Sequence, residues 1–259
     1  MKVLFIGDVI GKPGRQALRQ LLPGLVDEHG VDLVIANGEN AAAGFGITEH
    51  VARELFDTGI GVLTGGNHLW DKKDSVSYIA KEPRILCPAN YPEGAVGARS
   101  GVFQAKNGAR VGVFCLQGRV FMQALDCPFR VADGMVEKLK KETDAIIVDV
   151  HAEATSEKVA LGWHLDGRAS AVIGTHTHVQ TADERILPQG TAYITDAGMT
   201  GGFDGVIGMQ KEAVLKRFLT GMPQKFETAQ GDVRLNAVVV EVDEGTGLSR
   251  RIERVNLDA

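Results

Sequence analysis

The chain has 259 residues, 44% hydrophobic and 24% charged, with a formal net charge of −5. This balance suits one compact core, and the absence of any Lys/Arg-rich run argues against long nucleic acid as a resident partner. Three cysteines (Cys87, Cys115, Cys127) without C-x-x-C spacing, and an N-terminal apolar stretch broken at Asp8, argue against a disulfide framework, a signal peptide or a membrane span and point to the cytoplasm.

In chain order, β-rich runs ending in glycine or polar residues fall at Val3–Gly7, Leu33–Gly38 and Gly61–Gly66. Segments at helical period separate them, Arg15–His29 and Thr48–Thr58, so the N-terminal part reads as βαβ units. Pro13 suits the first turn of its helix, Pro23 is expected to bend or divide that helix, and Thr48 is an N-cap candidate. Val102–Ala105 and Val111–Leu116 then flank Asn107-Gly108, a hairpin signal. Further runs follow at Ala145–Val150, Ala171–Thr175 and Ala192–Ala197, and Val233–Val242 with Leu248–Val255 alternate like antiparallel strands. Periodicity thus predicts α/β with antiparallel edges, in one domain over residues 1–259, since no linker interrupts it.

Polar residues cluster just past the strand ends, where open α/β sheets present ligands. Asp8 closes the first run, Glu39-Asn40 the second and Asn67-His68 the third, while His151 and His176-Thr177-His178 close two later ones. Each has a plain alternative: Asp8 a helix cap, Glu39-Asn40 a solvated loop, Asn67-His68 a turn closure, His151 a strand-end hydrogen bond. His176 and His178 are harder to explain that way, because residues two apart in extended chain face one side and can approach one ion together. Five exits bringing carboxylate, amide and imidazole to one rim favour a metal site. Asp149 and Asp196 are candidates to hold ligating histidines. His29, His50 and His164 read as surface or capping residues, and Trp70 as either core or a base-stacking platform. Gly7 to Lys12 lacks P-loop spacing, and no Gly-x-Ser-x-Gly elbow occurs.

Gly7-Asp8, Gly38-Glu39-Asn40, Gly66-Asn67-His68, His151 and Gly174-Thr175-His176-Thr177-His178 resemble the motif set of the calcineurin-like metallophosphoesterase superfamily. Within it, Gly7-Asp8-Val9-Ile10-Gly11, Asn37-Gly38-Glu39-Asn40-Ala41-Ala42 and the stretch Thr175 to Glu184 are similar to the YmdB-type subfamily. The resemblance runs from the first strand to about Gly202. It implies a four-layer α/β/β/α sandwich of the metallophosphoesterase type with mixed sheets, and two metal ions.

By that resemblance Glu39 bridges the ions; Asp8, Asn40 and His178 complete the first, and Asn67, His151 and His176 the second. Ile10 stands where the superfamily usually places a ligating histidine, and Asn40 is the replacement. All-N/O ligation permits iron, manganese or zinc, and the resemblance implies iron first, then manganese. His68 takes the role of the acid that protonates the leaving oxygen. Two divalent ions, two carboxylates and one hydroxide would leave roughly one positive charge, attractive to a phosphodiester. The implied activity is a phosphodiesterase acting on small cyclic nucleotides, 2′,3′-cyclic and less securely 3′,5′-cyclic. Phosphomonoester hydrolysis and a non-catalytic nucleotide- or RNA-binding regulator are the alternatives, and homo-oligomerisation is left open.

Overall fold

A computed structural model describes residues 1–259. β1 (Lys2–Ile6) leads through the two-residue β2 (Asp8–Val9) into α1 (Gly11–His29), followed by β3 (Leu33–Asn37), α2 (Glu49–Asp57), β4 (Val62–Thr64), α3 (Val76–Ile79) and β5 (Ile85–Leu86). A second set comprises β6 (Ser100–Gln104), β7 (Arg110–Gln117), α4 (Pro128–Leu139), β8 (Ala145–His151), α5 (Thr155–His164), β9 (Ala171–Thr175), β10 (Arg185–Ile186) and β11 (Ala192–Ile194). The chain then returns through β12 (Met199–Gly202), α6 (Lys211–Thr220), β13 (Val233–Val242) and β14 (Ser249–Asp258).

Two mixed sheets result. The first has the order β2-β12-β13-β1-β3-β4-β5 with β14 paired to β13, and the second the order β10-β11-β9-β8-β7-β6. Strand parity explains how they stack, because alternate side chains face opposite sides. In β1, Val3 and Phe5 face the second sheet and meet Val113, Ile147 and Ile173, whereas Leu4 and Ile6 face α1 and α2 through Leu18, Leu22 and Leu55. In β8, Ile147 points to the first sheet, and Ile146, Val148 and Val150 point to α4 and α5. Three apolar interfaces between four layers make the expected α/β/β/α sandwich, and the near-continuous apolar strands are those that must be dry on both faces.

Local expectations hold at Thr48, whose side chain accepts from Val51 N at 3.2 Å, and at the Asn107-Gly108 turn, where Gly108 has φ 91° and β6 pairs antiparallel with β7. Pro23 does not divide its helix: α1 runs unbroken from Gly11 to His29. Pro23 and Arg19 both lie on the exposed side, so the Arg19 carbonyl that loses its donor can be hydrated.

Candidate metal centre

The parallel trio β1, β3 and β4 ends at one edge of the first sheet, and the parallel trio β7, β8 and β9 ends at the adjoining edge of the second. Every residue singled out for the site leaves one of these ends. The first sheet delivers Asp8, Glu39, Asn40, Asn67 and His68; the second delivers His151, His176 and His178.

The side chains converge in two groups that share Glu39. In one, His178 Nε2 is 3.5 Å from Asp8 Oδ1, and Asn40 Nδ2 lies 3.5 Å from Asp8 Oδ1, 3.3 Å from Glu39 Oε1 and 3.4 Å from His178 Nε2. In the other, His151 Nε2 is 3.0 Å from Glu39 Oε1, 3.2 Å from Asn67 Oδ1 and 3.1 Å from His176 Nδ1. Donor atoms of Glu39, His151 and His176 all lie within 4.8 Å of one another. Asp8, Glu39 and His151 are fully buried.

Charge assignments follow from this crowding. Burial alone would protonate Asp8, but the His178 and His151 cations and the His176 backbone N–H hold its carboxyl well below the usual range. Glu39 is likewise held low against its burial, chiefly by His151. Burial would neutralise His151, yet Glu39 and Asp8 outweigh it and push this imidazole up to about 9. His176, only partly buried but next to that cation, is driven down to about 3 by burial and His151 together.

The donor set fits metal ions. The Oδ1 atom of Asn40 is buried with no hydrogen-bond partner, while its Nδ2 fills the space between two carboxylates. Turning the amide would place an oxygen there, which the carboxylates would repel unless a cation lay between them. All donors are N or O, a set compatible with iron, manganese or zinc and not with thiolate-dependent sites.

Asp149 lies on the Ile147–His151 side of β8, facing the first sheet. It accepts from Thr64 Oγ1 at 2.5 Å, Asn37 Nδ2 at 3.2 Å and Thr175 Oγ1 at 2.7 Å. Burial raises its carboxyl to about 6. Thr175 Oγ1 also lies 2.9 Å from His151 Nδ1, so Asp149 orients the ring through Thr175 rather than by direct contact. Asp196 likewise touches no imidazole; it binds Thr177 N and Oγ1. Asn37, which the sequence offers only as part of the Asn37–Ala42 stretch, and Thr64 carry no assigned role there, since each shows itself only as a polar residue inside an apolar strand.

His68 differs from the buried donors, with its side chain 33% exposed. Its backbone N–H donates to Glu39 Oε2 at 3.0 Å and its Nδ1 faces Asp71 Oδ2 at 2.7 Å, while Nε2 has no protein hydrogen-bond partner. Trp70 packs: Nε1 donates to Val96 O at 2.9 Å, and the ring lies 4.8 Å from that of Tyr91.

Comparison with known proteins agrees with this architecture. The chain is 50% identical over 256 residues, 98% of its length and 96% of the relative's, to a 2′,3′-cyclic-nucleotide 2′-phosphodiesterase of Bacillus subtilis strain 168. A crystal structure of a protein from Thermus thermophilus superposes with a TM-score of 0.93 at 45% identity, covering 100% of this chain and 99% of that one. A phosphatase structure from Mycoplasma pneumoniae gives 0.93 at 35% identity, covering 100% and 93%. A family model described as YmdB-like protein matches residues 4–255, and with the strand-end donors gathered as above, the chain belongs to the YmdB-like protein family.

Proposed function

We propose that the chain is a metal-dependent phosphodiesterase that hydrolyses small cyclic nucleotides, 2′,3′-cyclic ones first. One observation carries this reading: two donor groups, one from Asp8, Asn40 and His178 and one from Asn67, His151 and His176, meet at the single carboxylate of Glu39. On that basis Glu39 would be shared by two ions, iron by preference and manganese or zinc as alternatives; Asp8, Asn40 and His178 would hold the first and Asn67, His151 and His176 the second. When bound, such ions neutralise phosphoryl charge and lower the pKa of water to make a nucleophile near neutral pH. The name of the Bacillus subtilis relative supports the substrate class.

The chain's own residues supply the rest. Asp8 and Glu39, both held ionised, fix the charge of the site. Asp71 engages His68 Nδ1 and so aims Nε2 at the open side, where an imidazolium would pass its proton to the departing ribose oxygen. A purely binding site has no use for such an acid, which counts against a purely regulatory role. No helix is long and apolar enough to cross a membrane; we place the protein in the cytoplasm, as one domain acting on small phosphodiesters rather than on long nucleic acid.

The test pairs metal counting with a substrate panel. Elemental analysis should find two ions in the wild type, loss of both in Glu39→Ala and weakening of one in His178→Ala. The metal-loaded protein should turn over 2′,3′-cyclic nucleotides with higher kcat/KM than 3′,5′-cyclic or monophosphate substrates. Monophosphates as best substrates would make it a phosphomonoesterase, and nucleotide binding without turnover would make it a regulator.

A further inference from the structure

The segment that presents His176 and His178 has an unusual backbone. Both residues sit in the left-handed region, φ 95° and 65°, which disfavours any residue with a side chain. Something must hold them there, and the contacts of the residue between them show what does. Thr177 donates to Asp196 Oδ2 twice, from its backbone N–H at 3.1 Å and from its hydroxyl at 2.7 Å. Asp196 Oδ1 accepts from Gly198 N at 2.8 Å, and the Gly198 carbonyl in turn accepts the backbone N–H of Asp8 at 3.0 Å. One carboxylate therefore grips the backbone on both sides of the first donor group, the His176–His178 turn and the Asp8 strand end.

That carboxylate is completely buried, and its charge is met by one cation. Lys158, on α5, puts Nζ 2.7 Å from Asp196 Oδ2 with its side chain 1% exposed. Nζ has no other protein partner within hydrogen-bond distance. A dry ion pair is weak support for stability in general, because desolvation offsets the attraction. Here it does something specific: the ammonium supplies the counter-charge beside an oxygen that accepts three donors. The neighbouring Glu157 makes a parallel anchor, accepting the backbone N–H groups of Arg119 and Val120 just past the end of β7.

We infer that Lys158 and Asp196 are positioning residues for the metal centre, forcing the 176–178 turn into the strained shape that lets His178 and Asp8 address one ion. This rests on the ligand assignment proposed above. The experiment measures Mn²⁺ affinity by chelator competition, ion stoichiometry by elemental analysis, and thermal melting, for wild type, Thr177→Val, Lys158→Met and His178→Ala. Thr177→Val deletes only the hydroxyl leg and leaves the buried pair intact, so it remains informative if Lys158→Met fails to fold.

Thr177→Val should melt close to wild type yet weaken one Mn²⁺ by about 10–100-fold, the usual cost of losing a group that orients a ligand, while the other ion is retained. Lys158→Met, where folded, should weaken the same ion at least as much. Wild-type Mn²⁺ affinity in folded Thr177→Val and Lys158→Met, alongside loss of an ion in His178→Ala, would overturn the positioning role. Wild-type affinity in His178→Ala would instead overturn the ligand assignment beneath it.

Discussion

Gly66 offers the sharpest test of how tightly the centre is built. A Cβ added there would lie 2.0 Å from His151 Cδ2, 2.3 Å from Nε2 and 2.5 Å from Cγ. Carbon atoms rest about 3.5–4.0 Å apart, so the imidazole would have to retreat by roughly 1.5–2 Å. It has nowhere to go: the ring is fully buried, Nδ1 is engaged by Thr175 Oγ1 at 2.9 Å and Asn37 Nδ2 at 3.2 Å, and the His176 ring centroid is 4.7 Å away. Metal–ligand distances tolerate only about 0.2 Å, so a displacement several times larger removes His151 as a donor. Gly66→Ala should therefore lose the ion assigned to Asn67, His151 and His176. Overpacking of this kind costs about 1–3 kcal/mol, which at ~2–4 °C per kcal/mol for a chain of this size lowers Tm by roughly 2–12 °C. The assay is Mn²⁺ titration with elemental analysis, plus a melting curve. Gly24→Ala serves as the control, since nothing lies within 4 Å of its added Cβ. A Gly66→Ala protein that holds both ions with wild-type affinity would refute the close fit and the role of His151 with it.

His68→Ala should keep fold and metals while turnover falls ~10²–10⁴-fold, with a smaller loss on an activated aryl phosphodiester whose leaving group hardly needs a proton; equal losses on good and poor leaving groups would remove the acid role. Asp183 gives a pH prediction away from the metals. Burial opposes its ionisation, but hydrogen bonds from Thr181 Oγ1 at 2.6 Å and Thr195 N at 3.1 Å hold its carboxyl below the ordinary value. Because the folded value is the depressed one, its stabilisation is fully present above the unfolded carboxylate pKa and is lost as pH falls through the folded pKa. Asp183→Asn should thus lower Tm at neutral pH and flatten the acid limb of the Tm–pH curve; curves that run parallel would count against it.

Much of the N-terminal half was legible because strands and helices alternate there with clear punctuation, and the strand-end rule marked Asp8, Glu39, Asn40, Asn67, His151, His176 and His178 as candidates, which the fold brings together at one edge. The C-terminal pair Val233–Val242 and Leu248–Val255 was legible from its alternation and is the antiparallel β13 and β14, but the elements just before it were not. β12 is a Met-Thr-Gly-Gly stretch whose strand character comes from pairing between β2 and β13, not from propensity. Pro23 misled because its cost depends on solvent access to one carbonyl, which sequence does not report. Asp149 and Asp196 were both suspected as partners of the histidines, but each acts through a threonine, Thr175 or Thr177, and a relay of that kind depends on side-chain direction after folding. Lys158 could not be found at all: a lysine at the start of a helix reads as solvated until the strand it covers is known.

The division of the donors between two sheets also sets an order of events during synthesis. Carboxylates and amides come from residues 8 to 67, imidazoles from residues 151 to 178, and His176 N meets Asp8 across 168 positions of chain. Even then the first sheet is unfinished, because its central β1 lies beside β13, with Lys2 opposite Glu241 and Ile6 opposite Ala237. A ribosome that has released only the N-terminal βαβ part has produced a strand with an open edge and the carboxylate and amide donors, without His151, His176 and His178 to join them. Such long-range pairing makes for slow folding, and the full donor set assigned to either ion exists only once residues 151 to 178 have been made. The sheet that carries Asp8 is complete only after nearly the last strand has arrived.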